Sequence, residues 1–368
     1  MSTTYLDYNA TAPVWPEVVE AVSDALASGG NASSVHRDGR RARKLVEDAR
    51  EKVAALVNAR PSQVVFTGGG TEANNLAMAQ AAPAQAAGSA VEHDSILQAA
   101  EEGMRLEVDA NGIVDGSRLP EDGLSLVSVM LANNETGVLQ PVKEIAGAYR
   151  ELGAIIHTDA IQAVGKIKVD WQDLGVHMMS LSAHKLGGPQ GVGALVVDEE
   201  LDITPLLKGG GQERGRRAGT ENVAGIGGFG VAAELVQKKF GKMAEVAALR
   251  DTLEQALLAI NPSLQIHGRG VDRLPNTTCV SMPGVDAETQ VMSLDLAGVM
   301  VSAGSACSSG KVTTSHVLKA MRLEDDLASS AIRISLGWHS TQEDIHTFIN
   351  AWRDLYARTS SPQATAAE

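Results

Sequence analysis

Short, wholly apolar runs recur along the chain, each closing on a cluster of Gly, Asx, Ser or Thr residues before the next element begins. The runs at 64–66, 124–131, 154–157, 178–181 and 193–197 read as strands, with helical periodicity between several of them. A strand that is apolar along its whole length is buried on both faces, which requires helices above and below a mostly parallel sheet. The expected fold class is therefore α/β. Residues 37–59 carry apolar groups at helical spacing with charges between them, and Pro61 stops the run. A long surface helix is expected there.

At 368 residues the chain exceeds the size at which a single core stops growing, which predicts two domains. Near residue 245 the pattern changes: a helix through about Ile260 precedes Pro262, and short strands around 277–282 and 333–336 are interleaved with helices. We assign 16–245 to a large domain with the mostly parallel sheet, and 1–15 with 246–360 to a smaller α+β domain. The small, polar residues 361–368 read as a disordered tail. The Ala-rich stretch 77–90 reads as a helix end and loop.

Acidic residues outnumber basic ones by 45 to 31, and no Lys/Arg run forms a stripe for a phosphate backbone or an anionic lipid. Neither nucleic acid nor membrane is an expected partner. The opening MSTTYLDYNA lacks a basic segment followed by an apolar one, and no apolar run reaches the length of a membrane span. The two cysteines, Cys279 and Cys307, make one disulfide at most and have no metal-ligand spacing. These features predict a cytoplasmic protein without a metal site.

In an open α/β sheet, ligands sit beyond the carboxyl ends of the strands, so the residues just after each apolar run are the informative ones. After 64–66 comes TGGGTEANN, whose glycines let the backbone approach an anion and whose helix, starting near Thr71, offers unbonded N–H groups. A simple tight turn is an equal reading, because neither dinucleotide nor P-loop glycine spacing is present. After 124–131 come Asn133 to Gly137, and after 154–157 come Thr158 to Gln162. Asx residues at strand ends form turns as readily as sites. Asp159 differs, because a carboxylate closing a buried strand needs a cationic or hydrogen-bonding partner, and a protonated pyridine nitrogen is one. After 178–181 comes Lys185, and a desolvated lysine is what Schiff-base chemistry requires. Ser182 and His184 flank it as candidate phosphate ligands. An anion-binding helix start, an Asp for a ring nitrogen and a strand-end Lys together make the constellation that pyridoxal 5′-phosphate needs.

The segments YLDYNATAPV, NASSVHRDGR, VVFTGGGTEANNLA, VEHDSIL, VMLANNETGVLQPV, HTDAIQAVGKI, SLSAHKLGGPQGVGAL, GGGQERGRRAGTENV, VSAGSACSSG and IRISLGW span nearly the whole chain. In them the sequence resembles the cysteine desulfurases of the class V aminotransferase group, and SAGSAC resembles the subfamily with a longer mobile cysteine loop. The resemblance implies a fold-type I pyridoxal-phosphate transferase. It implies Lys185 as the Schiff-base lysine, Asp159 as partner of the pyridine nitrogen, Gln162 as hydrogen bonder to the ring oxygen, and His93 as the stacking and proton-transferring group. Gly70, Thr71, Ser182 and His184 would bind phosphate, with Thr220 reaching it from the other subunit of a homodimer. Asn134 and Arg333 would orient the substrate carboxylate. The segment between Leu76 and His93 is shorter than the family's usual one, so the strand leading to His93 is expected to be trimmed.

A lone cysteine is most often a small buried hydrophobe, and Cys279, within TTCVSM, fits that description. Cys307 lies in GSACSSG, a composition that exposes a thiol and gives it reach. The implied activity is conversion of L-cysteine to L-alanine with a persulfide left on Cys307, for delivery to an iron–sulfur scaffold or another sulfur acceptor. A selenocysteine lyase or an aminotransferase on the same fold remains the alternative enzyme, and a cofactor-binding protein without turnover the alternative class.

Overall fold

The computed structural model describes residues 3–116, 123–304 and 314–360. After β1 (Thr4–Tyr5), the strands β2 (Val64–Thr67), β3 (Ala86–Ser89), β4 (Met104–Leu106), β5 (Leu126–Ser128), β6 (Ile155–Asp159), β7 (Met178–Ser182) and β8 (Gly193–Val197) follow. The last seven of these form one sheet in the order β2-β8-β7-β6-β5-β3-β4. Only β8 runs against its neighbours, and the other pairings are parallel. Parallel strands end at one edge, so the turns after β2, β3, β5, β6 and β7 gather there. Helices Pro16–Ser28, Arg37–Leu56 and Val223–Lys238 pack together, the second being the expected surface helix.

The strands β9 (Gln265–Ile266), β10 (Thr277–Ser281), β12 (Ser302–Ala303) and β13 (Ala331–Ser335) form a second, antiparallel sheet, while β11 (Val299–Met300) pairs with β1. The N-terminal segment therefore lies with the C-terminal third of the chain. Cys279 is fully buried in β10, and burial pushes its thiol pKa up, as befits a core cysteine. Cys307 and the tail at 361–368 lie outside the described residues.

Two expectations need correction. The end of the Ala-rich stretch is a strand, β3, inside the central sheet. Ala and Gly are poor strand formers, but packing overrides propensity here: a Cβ on Gly88 would lie 3.2 Å from Ile96 Cγ2, so the helix Asp94–Leu97 sits close only over small residues. The strand before His93 is thus four residues long and paired on both sides. The run 124–131 is strand only over Leu126–Ser128.

His157 sits mid-sheet on β6, with Nδ1 2.8 Å from Ser128 Oγ on β5 and Nε2 2.9 Å from Ser180 Oγ on β7. Burial pushes its pKa down to about 3, so the folded ring stays neutral where an unfolded one, near 6.5, takes a proton. Its contribution to stability is complete above pH 6.5 and is lost as pH falls toward 3. His184 and His267, both pushed down to about 4, act in the same direction. We expect urea midpoints of the wild type to fall through this window and those of His157→Gln to fall less steeply. Equal slopes would refute the buried neutral ring.

Candidate active site

The strand ends and the N-terminal segment enclose a cleft of about 290 Å³. Gly70, Thr71, His93, Asn134, Asp159, Gln162, Ser182, His184, Lys185 and Arg333 all line it, so most of the expected site residues converge. Thr220 does not: it is exposed and lies outside the cleft of its own chain. Cys307 lies outside the described residues.

Helix Gly70–Met78 starts at the cleft, and its first N–H groups have no partner within the helix. Gly69, at φ +144°, makes the turn into it. A Cβ on Gly70 would lie 2.3 Å from Ile161 Cδ1, so a larger residue here would have to displace that side chain at the cleft wall. Ser182, closing β7, has a buried hydroxyl with no hydrogen-bond partner. Open N–H groups beside an orphaned hydroxyl fit an anion such as a phosphate.

Lys185 lies in the single turn Ala183–Leu186 that follows β7. Its Nζ donates to two main-chain carbonyls, Asn9 O at 2.6 Å and Ala10 O at 2.7 Å. Asp159 ends β6, where burial raises its pKa and hydrogen bonds from Asn74 Nδ2 at 2.7 Å and Ile161 N at 2.9 Å oppose the rise. Such a carboxylate favours a cationic N–H partner.

Asn74 Nδ2 also donates to Ser95 Oγ at 2.8 Å, and Ser95 Oγ lies 2.8 Å from His93 Nδ1. Because Nδ1 accepts from Ser95 N at 3.1 Å, the neutral His93 ring carries its proton on Nε2. One relay therefore ties the orientation of His93 to that of Asp159. Arg333, on β13, donates to Asp7 Oδ1 at 2.8 Å and Asn134 O at 3.0 Å, and its Nε is buried without a partner.

Sequence reasoning missed Asn9, Asn74, Lys166, Glu92 and Glu135. Burial pushes Glu92 up to about 8 and Glu135 up to about 7, the latter opposed by a hydrogen bond from Ser315 Oγ at 2.5 Å. Lys166 is fully buried, and its Nζ donates to Asn9 Oδ1 at 2.7 Å and Gln162 Oε1 at 2.6 Å. Burial, with Lys185 and Arg333 nearby, pushes its pKa well down. The ANN run after the glycines was the available signal for Asn74, and Glu135 lies in the strand-end cluster Asn133 to Gly137; nothing local marked the others.

The family model for aminotransferase class-V matches residues 4–348. The cysteine desulfurase IscS of Dictyoglomus turgidum is 40% identical over 97% of this chain and 96% of its own. A cysteine desulfurase of Trichormus azollae is 42% identical over 97% and 94%. Among solved structures, a NifS-like protein from Rickettsia africae superposes with a TM-score of 0.89 at 36% identity, covering 96% of this chain and 99% of that one. The structure described as SspA in complex with cysteine has a TM-score of 0.78 at 29% identity, over 92% and 100%. With its strand-end lysine, buried aspartate and open helix start in one cleft, the chain belongs to the class-V aminotransferase family and, within it, to the cysteine desulfurases.

Proposed function

We propose that the cleft holds pyridoxal 5′-phosphate on Lys185 and that the protein takes sulfur from L-cysteine, releasing L-alanine and leaving a persulfide on Cys307. The observation that carries this is the convergence of Lys185, Asp159 and the orphaned Ser182 hydroxyl on one cleft at the sheet's carboxyl edge. Gly70 and Thr71 N–H, Ser182 and His184 would hold the phosphate, with Thr220 supplied by a second copy in a homodimer. The cleft would lie between a large domain, 16–245, and a smaller one made of 1–15 and 246–360.

When bound, this group supplies a protonated pyridine ring that accepts the electron pair left on the substrate's α-carbon. Asp159 keeps the ring nitrogen's proton in place. Arg333 and Asn134, both lining the cleft, orient the substrate carboxylate. Lys185 Nζ, resting on Asn9 and Ala10 carbonyls, removes the Cα proton as general base. Cys307, as thiolate, forms an S–S bond to the substrate sulfur while the C–S bond breaks. The electron pair of that bond stays with the three-carbon product, which His93 Nε2–H helps to protonate. A sulfur-acceptor protein, of the iron–sulfur scaffold class, then receives the persulfide sulfur.

The test is to load the purified protein with pyridoxal phosphate and add L-cysteine with a thiol reductant, after light scattering has checked for a dimer. Alanine and sulfide are expected in equal amounts. Amino transfer to a keto acid without sulfide, or turnover confined to selenocysteine, would overturn the reading.

A further inference from the structure

Lys166 is buried and takes no part in the steps above. Its two acceptors are both amide oxygens, Asn9 Oδ1 and Gln162 Oε1. Lys166 Nζ donates to both, so each amide turns its oxygen toward Lys166 and its nitrogen away. Asn9 Oδ1 is held the same way by Asn276 Nδ2 at 3.0 Å, and Asn9 Nδ2 donates to Thr277 Oγ1 at 2.9 Å. Gln162 Nε2 donates one hydrogen to Asn9 O at 2.9 Å, the carbonyl that also receives Lys185 Nζ. Gln162 lines the cleft, and with its oxygen turned to Lys166 and one hydrogen given to Asn9 O, its second N–H is the hydrogen it has left for a ligand.

We propose that Lys166 is a positioning residue: by holding Gln162 Oε1 while the Asn9 carbonyl holds Nε2, it fixes that amide so that it presents a donor to the cleft for an accepting ring substituent, such as an oxygen that carries negative charge. The idea rests on the reading that pyridoxal phosphate occupies the cleft. Lys166 thereby reaches the reacting nitrogen of Lys185 by two routes, through the carbonyl of Asn9 and through the ring oxygen beside Gln162.

The experiment is a pH titration of the visible absorbance of the loaded protein, which reads the proton on the Lys185 nitrogen. A donor to the ring oxygen draws negative charge away from that proton and lowers the midpoint. Removing one charge-assisted hydrogen bond should raise the midpoint by about one unit. Lys166→Met and Gln162→Met are each expected to show this rise, and the double variant no more than the larger single one, because Lys166 acts through Gln162. The neighbouring titratable groups His93, Asp159, His184 and Arg333 are the same in every variant. Additive shifts would mean that Lys166 acts by its charge alone, and an unchanged midpoint in either single variant would equally overturn the proposal. If Lys166→Met does not fold, Lys166→Gln, which accepts as readily as it donates, takes its place with the same expectation. Failure of both to fold would assign Lys166 to the fold alone and refute the proposal. The cofactor reading fails separately, if the wild type shows no visible band that depends on Lys185.

Discussion

Lys185→Ala protein is expected to fold, to show none of the visible absorbance that pyridoxal phosphate gives the wild type, and to yield no lysine adduct reducible by borohydride. Among the described residues, Lys185 is the lysine that lines the cleft. Lys166, a buried lysine near it, is engaged by Asn9 and Gln162 and lies outside the lining. Folding should survive because Lys185 is half-buried at the wall of a cleft, where water can reach the Asn9 and Ala10 carbonyls that its Nζ gives up. Asn9 O also keeps Gln162 Nε2 as a donor. Turnover should fall by at least about 10³-fold, since the variant loses both its covalent attachment point and its general base. Peptide mapping after borohydride reduction reads the result, and a reduced adduct on Lys166 or on any other lysine would sink the central assignment.

Cys307→Ala should separate the two halves of the chemistry. The groups proposed to act on the cofactor ring are Lys185, Asp159 and His93, all lining the cleft, whereas Cys307 is proposed only as the sulfur acceptor. The variant is therefore expected to keep its absorbance and its spectral response to L-cysteine while forming no protein persulfide. Because a nucleophile is removed rather than a group that binds substrate, kcat should collapse while the apparent affinity for L-cysteine changes little. Cys279→Ala is the control: its thiol is buried in β10 with a raised pKa, so its loss should lower stability by about 1 kcal/mol and leave sulfur transfer intact. Mass spectrometry after cysteine treatment decides the matter. Added sulfur on Cys279, or undiminished sulfide release without Cys307, would refute the assignment.

What was legible in the sequence follows a physical rule. Asp159, Ser182 and Lys185 stand directly after runs that are buried on both faces, so a polar group there has to have a purpose. Asn9 and Ala10 gave no such signal, because what they offer Lys185 is backbone carbonyl, which every residue carries. Lys166 reads locally as one more charge in a Gly-Lys turn; that it is buried against two amides is a fact of the N-terminal segment's return. The strand at Ala86–Ser89 stayed hidden because packing against Ile96 demands small side chains, which mimic a loop in composition. Roles for His93 and Asn134 came from resemblance, and the relay through Ser95 and Asn74 gives His93 a geometric basis it lacked.

The return of the N-terminal segment also bears on the order of synthesis. Thr4 and Tyr5 pair with Val299 and Met300, and Asn9 N bonds to Ser335 Oγ, 326 positions later. Pairings so distant along the chain form late. Residues 4–10 have to wait for residues 299–335 before the carbonyls that receive Lys185 reach their place. A nascent chain whose central sheet is already folded still lacks one wall of its cleft, and Arg333 that lines it, until residues 299–335 have been made.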